Sequence, residues 1–289
     1  MQTRLDGKAI VITGAGGGIG EATARLAAAL GGKVLVNDIN GAAAENVACA
    51  IREAGGQAQS NSDDVGKWAT GQALVAAALE AFGRLDGLVN NAAVFRLAPM
   101  AQTTEDDLRA TFEVNTLGAA ACAQAAARHM LANSGGSIVN IVSGAQCGME
   151  ALAAYGASKG GLASLTYAWA MELAGGRVRM NAVSPLADTQ MSDITRAYLA
   201  SRSVPLPDYV PPASANAPAI CYLLSDASAG LHGQVVRIGG SDLTLMTHPA
   251  ILAPVLQSSQ WTVESIAAAF AGPLSSRHQR LGMVQVEQI

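Results

Sequence analysis

The 289-residue chain is short of charge. Only 14% of its residues are charged against 50% hydrophobic, and the formal net charge is −4. No basic field invites nucleic acid, and no run of Lys and Arg resembles a polybasic membrane anchor. Long apolar runs are also missing, since none approaches the roughly 18 residues that a bilayer span needs. The opening segment, Met1 to Lys8, has neither a long apolar core nor a cleavage pattern, so no signal peptide is expected. The four cysteines, Cys49, Cys122, Cys147 and Cys221, form no Cys-x-x-Cys pair. They read as reduced cysteines of a cytoplasmic protein. Four histidines (His129, His232, His248, His278) are equally scattered, and no metal-ligand spacing is found. What is abundant is alanine and glycine, in the composition of a compact enzyme and not of a disordered chain.

Strands and helices alternate through most of the chain. A short apolar strand, Lys8 to Ile12, runs into Thr13-Gly14-Ala15-Gly16-Gly17-Gly18-Ile19-Gly20 and then an alanine-rich helix. Glycines there let the backbone turn sharply and let a pyrophosphate approach helix N-terminal amides. A second strand, Lys33 to Asn37, ends at Asp38, 18 positions after Gly20. A carboxylate at that interval can accept from both ribose hydroxyls of an adenosine and would repel a 2′-phosphate. No Arg or Lys in the glycine turn or just after Asp38 would welcome one, which favours NAD over NADP. The same aspartate could instead cap the next helix, Gly41 to Ala54.

Further strands follow near Gln57 to Asn61, Asp86 to Val89, Ser137 to Val142, Arg177 to Val183 and Gln234 to Ile238. Asp64 and Val65 lie beyond the third, where an adenine would sit. Asn90-Asn91-Ala92-Ala93 closes the fourth, and Ser143 the fifth. Helices are read at Gly66 to Phe82, Thr104 to Met130, Ala154 to Ala174 and Ala213 to Leu224. Thr104 with Asp107 makes an N-cap. Asn115 is a poor mid-helix residue, so its side chain or a local kink should serve a purpose. The small residues of Gly118 to Ala127 and of the helix after Ala154 suit close helix packing, either between subunits or inside the domain. Asp188 to Pro212, with prolines at 205, 207, 211 and 212, reads as an irregular lid. The pattern gives one doubly wound, Rossmann-type parallel sheet of about seven strands in a single domain, residues 1–241, with the lid at about 186–212.

Tyr155 and Lys159 are spaced i, i+4, so on a helix they share a face. A fixed cation near a tyrosine favours its phenolate and lowers its pKa, which would let it exchange a proton with an alcohol near neutral pH. Taken alone, the pair could equally be two side chains on a solvated helix face.

The ordered set over roughly residues 5–240 resembles the short-chain dehydrogenase/reductase family. It comprises Thr13-Gly14-x-x-x-Gly18-x-Gly20, Asp64-Val65, Asn90-Asn91-Ala92-Ala93, Asn115, Ser143, Tyr155-x-x-x-Lys159 and Asn181-Ala182-Val183-Ser184-Pro185. The resemblance implies a catalytic tetrad. Ser143 would bond the substrate oxygen and Tyr155 would exchange its proton. Lys159 would hold the nicotinamide ribose and lower the Tyr155 pKa, and Asn115 would position a relay water. It implies cofactor contacts at Gly14, Gly17, Gly18, Ile19, Gly20, Asp38, Asp64, Val65, Asn91, Ala92, Tyr155, Lys159 and Pro185. One departure stands out: the family's usual Pro-Gly is Pro185-Leu186 here, and the segment to Thr189 is about one residue short.

The expected activity is NAD-dependent interconversion of a secondary alcohol and a ketone. Cys147, Met149 and Leu152 on one side, with Leu186, Met191, Tyr198 and Leu199 of the lid, suggest an apolar or cyclic small-molecule substrate. The alternatives are a 3-oxoacyl thioester reductase, whose docking patch could use only Arg196 and Arg202, and a silent NAD-binding scaffold. A homo-oligomer, dimer or tetramer, is expected. The tail, residues 242–289, is an addition to the usual core. Thr262 should cap a short helix stapled by Trp261 and Ile266 and stopped by Gly272-Pro273, packing on the core or on a neighbouring subunit. The last ten residues are expected to lack fixed structure.

Overall fold

Five consecutive buried residues, Ala9–Thr13, form the central strand β1 of the computed structural model, which describes residues 3–202 and 209–286. A strand buried on both faces reads as a continuous apolar run because helices cover it on either side. The neighbouring strands are β2 (Lys33–Asn37), β3 (Gln57–Asn61), β4 (Gly87–Asn90), β5 (Gly136–Ile141), β6 (Val178–Leu186) and β7 (Val235–Gly239). They pair in parallel in the order β3-β2-β1-β4-β5-β6-β7. The order reverses direction at β1/β4, which puts a crevice beyond the carboxyl ends of those strands.

The helices are α1 (Gly18–Ala29), α2 (Gly41–Glu53), α3 (Thr70–Phe82), α4 (Glu105–Phe112), α5 (Ala119–Ala132), α6 (Ala153–Leu173), α7 (Gln190–Ser201), α8 (Ala217–Leu224) and α9 (Val263–Ala271). One apolar cluster joins the β1–β2 face to α1, α2 and α8 through Ile10, Val34, Ala24, Ile51 and Ile220. A second lies on the other face and joins Val11, Leu88, Leu74, Ala126 and Met130. Thr104 caps α4 in a capping box with Asp107, as its sequence predicts.

Five segments depart from the sequence reading. An eighth strand, β8 (Asp242–Met246), pairs antiparallel with β7, so the sheet has eight strands and one antiparallel edge. Gly240 at φ +63 makes the tight reversal that the strand reading passed over. The region from 188 is not irregular: α7 occupies Gln190–Ser201. The Ser192 hydroxyl accepts from the Thr189 amide at 3.1 Å, which anchors the start of that helix. Pro205 and Pro207 lie outside the described residues, while Pro211 and Pro212 follow the helix. Thr104 to Met130 is not one α-helix, because a π turn at Glu113–Gly118 separates α4 from α5. The helix read at Gly66 begins only at Thr70, and the one read at Ala213 opens with a 3₁₀ turn before α8.

The small residues of α5 have a use inside the domain. A Cβ on Gly71 of α3 would stand 2.4 Å from the Ala121 carbonyl of α5. The chain divides into two compact units, Met1–Met246 and Thr247–Ile289. Within the second, Thr262 caps α9 through the Ser265 amide at 3.2 Å, and Gly272 ends the helix. Val263, Ile266 and Phe270 of α9 are exposed. Residues 280–286 form neither helix nor strand, and the final three of the last ten lie outside the described residues.

Gly71→Ala should destabilise the domain by about 1–3 kcal/mol through overpacking. Gly230 has open space around its missing Cβ, so Gly230→Ala should stay within about 0.5 kcal/mol of the parent. Urea midpoints of the two variants check the contrast, and equal midpoints would refute the close α3–α5 contact.

Candidate active site

The glycine turn after β1 is fixed from three sides. Gly14 (φ +61) packs so closely on Ala92 that a Cβ would lie 2.6 Å from the Ala92 Cα. The Asn91 amide donates to the carbonyls of Thr13 and Gly14 at 3.0 and 2.8 Å. The Thr13 hydroxyl accepts from the backbone amides of Asn91 and Ala92, both at 3.1 Å. Asn91 therefore positions the turn, and Ala92 sets how close β4 comes to it. A Cβ on Gly20 would meet the Gly14 carbonyl at 2.3 Å, so α1 can start here only with glycine. Gly17 differs. Its φ of −173 is ordinary extended backbone and nothing lies within 4 Å of its missing Cβ. The fold does not require a glycine there, and the open face suits a ligand that approaches the backbone before Gly18 and Ile19.

Asp38 reaches back to this turn. One carboxylate oxygen accepts from the Gly16 amide at 3.0 Å and the other from the Asn40 amide at 2.9 Å. The cap of α2 is Asn40, whose side chain accepts from Ala43 at 3.2 Å, and not Asp38. A Cβ on Gly16 would collide with the Asp38 carboxylate, so Gly16 belongs to the site although the motif reading gave it no role. Asp64 accepts from the Gly66 amide at 2.9 Å, and Val65 is buried beside it under Gly118. These residues fit a dinucleotide: a cradle of amides, a carboxylate for a ribose, and an apolar wall for a base.

The other half of the site lies on β5 and α6. The Tyr155 hydroxyl lies beside Ser143, close enough for the serine to oppose the upward shift of the phenol. Ser143 stands just past the end of β5 and accepts from the Ala145 amide at 3.1 Å. Phe95 packs edge-on against the Tyr155 ring at 4.9 Å between centroids, a contact no motif announces. Leu152, expected on the substrate side, is buried with Ala145 and Tyr155, with Phe95 and Leu97 packed against them. Lys159 is only 1% exposed. Its ammonium donates to the Ile141 carbonyl at 2.7 Å and lies 5.9 Å from the centre of the Tyr155 ring.

Asn115 sits in the π turn, fully buried. Its side-chain oxygen accepts from the Val94 amide at 2.7 Å, and its amide donates to the Val94 carbonyl and the Ser158 hydroxyl, each at 2.9 Å. Both sequence expectations hold: the side chain is used and the helix is locally distorted. Ser158, one residue before Lys159, is the partner that the reading missed. The four tetrad positions are thus tied together by β5, the π turn and α6.

The expected effect of Lys159 on Tyr155 is overridden by burial. Desolvation pushes the Tyr155 phenol up to about 12, with the neighbouring Ser143 opposing it, and pulls the Lys159 ammonium down to about 7. Removing both charges from water outweighs what the pair offers each other at this separation.

Pro185 and Leu186 continue β6, with Leu186 paired to Gly239. The Leu186 side chain is 41% exposed, and its carbonyl accepts from Asn216 at 3.0 Å. Although the segment is short, Thr189 reaches the glycine turn, its methyl 3.6 Å from where a Gly18 Cβ would be. Cys147 and Met149 are exposed on the turn after β5, and Met191 is half-buried at the start of α7. Arg196 is paired with Asp188 and Asp193, and Arg202 with Glu150. An apolar cleft of about 650 Å³ lies elsewhere, between α8 and the β7–β8 hairpin, and contains none of these residues.

The Lys159 shift has a sign that stability can read. Between pH about 7 and 10.5 the unfolded chain carries a proton on Lys159 that the folded chain has lost. Folding stability therefore rises with pH through that window. Tyr155 acts oppositely, but only above pH 10.0, where the unfolded phenol begins to ionise before the folded one. In urea titrations the wild type should gain on Lys159→Met steadily from pH 7 to 10. Parallel curves for the two proteins would refute a depressed, buried ammonium.

The family model for short chain dehydrogenase matches residues 8–198. The chain is 38% identical over 239 residues to the cis-4-hydroxycyclohexanecarboxylate dehydrogenase of Sinomonas cyclohexanicum, covering 80% of this chain and 94% of that one. It is 35% identical over 252 residues to the 3-oxoacyl-[acyl-carrier-protein] reductase FabG of Thermotoga maritima, covering 82% and 98%. A solved 7α-hydroxysteroid dehydrogenase, complexed with NADH and 7-oxo glycochenodeoxycholic acid, superposes with a TM-score of 0.76 at 30% identity, covering 83% of this chain and 96% of that one. With the glycine turn, the Tyr155–Lys159 pair and the strand order already in place, the match over most of the sheet makes this chain a member of the short-chain dehydrogenase family of oxidoreductases.

Proposed function

We propose that the protein interconverts a secondary alcohol and a ketone with NAD(H), with Tyr155 as the proton-transfer group. The observation that carries this reading is the buried Tyr155 with the Lys159 ammonium 5.9 Å from its ring centre and Ser143 beside its hydroxyl. Ser143 and Tyr155 would both bond the carbinol oxygen, and Tyr155 would take or return its proton. Lys159 would bond the nicotinamide ribose. A phenol pushed up by burial needs cations close by to ionise near neutrality, and Lys159 is one of them. Nicotinamide, when bound, supplies the hydride acceptor or donor. Asn115, with its side chain committed to Val94 and Ser158, holds the π turn in place, and through it would position a relay water.

Asp38 supports NAD over NADP, because its fixed carboxylate stands where a 2′-phosphate would need a cation. The relatives named for a hydroxycyclohexanecarboxylate and a hydroxysteroid support a ring-bearing alcohol as substrate. The exposed Cys147, Met149 and Leu186 suit such a ring. The thioester-reductase reading has one relative's name in its favour, but its expected docking arginines, Arg196 and Arg202, are already ion-paired. An assembled tetrad argues against a silent scaffold. We also propose a homo-oligomer.

Two substitutions test the chemistry and the cofactor separately. Tyr155→Phe should lower kcat by at least about 100-fold while leaving the NADH Kd within about threefold. An undiminished rate would remove Tyr155 from the mechanism. Asp38→Ala should move the NAD-to-NADP preference toward NADP by about tenfold or more, the worth of a charged hydrogen bond. An unchanged ratio in paired initial-rate measurements would refute the ribose contact.

A further inference from the structure

Arg237 is a half-buried cation that the proposed chemistry does not use. It lies near the carboxyl end of β7, two strands from β5 and its Ser143. Its side chain donates to the Ser184 carbonyl and hydroxyl, both at 3.2 Å, and to the Pro185 carbonyl at 3.1 Å. All three bonds use one guanidinium nitrogen. Among the described residues no carboxylate pairs with it. Asp242, two residues from the register partner Thr244, is instead exposed, with an oxygen 3.4 Å from the Ser241 hydroxyl. A half-buried guanidinium without a counter-charge is a favourable place for an anion.

The surroundings say which side this cation faces. Strand alternation puts Arg237 on the face of Val235, which packs with Ala182 and Leu162 of α6, and not on the face of Val236 and Ile238. That is the face of Tyr155 and Lys159. The turn after Ser143 crosses β6 and β7 to reach β8, where the Gln146 amide lies 3.9 Å from the Met246 sulfur. Cys147, next on that turn, lies within the field of the Arg237 guanidinium, which opposes the upward shift of its thiol. A Cβ on Gly239 would stand 3.4 Å from the Leu186 Cβ and 4.0 Å from an Arg237 guanidinium nitrogen. Arg237 therefore lies along the wall formed by Cys147 and Leu186, where the substrate is proposed to bind.

We propose that Arg237 binds a carboxylate carried by the substrate, at the opposite end from the carbinol held by Ser143 and Tyr155. The proposal rests on the oxidoreductase reading and adds a substrate class to it: a hydroxy acid, or the corresponding oxo acid, with a ring-sized spacer. Two strand spacings separate the β5 and β7 backbones, roughly 10 Å, and the arginine side chain takes up part of that distance. A guanidinium with only one nitrogen committed keeps donors in a fork that matches a carboxylate. The 2′-phosphate of a dinucleotide is not its ligand, because Asp38 and the adenosine end are five strands away, roughly 24 Å.

The test is calorimetric titration of cyclohexanecarboxylate and cyclohexanecarboxamide into the full-length protein, with and without NADH. The wild type should bind the carboxylate about 10 to 100 times more tightly than the amide. Arg237→Gln should erase that preference and Arg237→Lys should keep part of it. Cys147→Asp places a competing carboxylate beside an intact Arg237 and should erase the preference without removing the β6 contacts. Equal wild-type affinity for the two probes overturns the proposal, and so does a preference that survives both Arg237→Gln and Cys147→Asp. Selective carboxylate binding in a protein that turns over no secondary alcohol or ketone with NAD(H) would refute the proposed alcohol–ketone reading and leave the anion site standing, whereas turnover of neutral alcohols alone would overturn the hydroxy-acid assignment.

Discussion

The structure depends on keeping one ammonium out of water. Lys159 lies in the interior with the Ile141 carbonyl as its hydrogen-bond acceptor. A lone charge in such a place is expensive, so its proton is held only below pH about 7, and the amine keeps its place only if its surroundings are rigid. The neighbouring polar contacts supply that rigidity. Asn115 clamps Val94 to Ser158, the Thr116 hydroxyl donates to the Ser158 carbonyl, and Asn140 donates to Thr166 further along α6. Each bond crosses between secondary-structure elements. The π turn is part of the same device, because an inserted residue re-aims Asn115 while α4 and α5 continue on either side.

The parallel sheet was legible because its strands are short apolar runs punctuated by Gly, Asn and Asp. Tyr155, Lys159 and Ser143 were legible because each sits in a pattern that survives translation into helix face or strand end. What escaped had no local pattern. Phe95 touches Tyr155 only because the segment after β4 meets the start of α6. Gly16 matters through its contact with Asp38, 22 residues away. β8 escaped because its residues are mostly exposed and its partner strand precedes a two-glycine turn that reads as an ending. α7 escaped because prolines further along obscured a polar helix anchored by Thr189 and Ser192.

The effect of burial on charge was likewise not visible in one dimension. Spacing alone says that a cation sits near a phenol, and so predicts a lowered pKa. Three-dimensional burial moves both groups toward their neutral forms. The same blindness applies to Arg237, which in sequence is one charged residue in an apolar strand. Only the face it occupies, and the absence of a described acidic partner there, gives it significance.

Asp38 has two holders, the amides of Gly16 and Asn40, and this ties cofactor preference to the shape of the loop that cradles the cofactor. Replacing the carboxylate does not merely remove a charge. It also frees a glycine amide in the turn and loosens the entry to α2. A replacement of Asp38 would therefore alter the order of the cradle as well as its charge. The charge at Asp38 and the shape of the cradle are thus one feature, and Thr189 at the head of α7 touches that cradle from the other side.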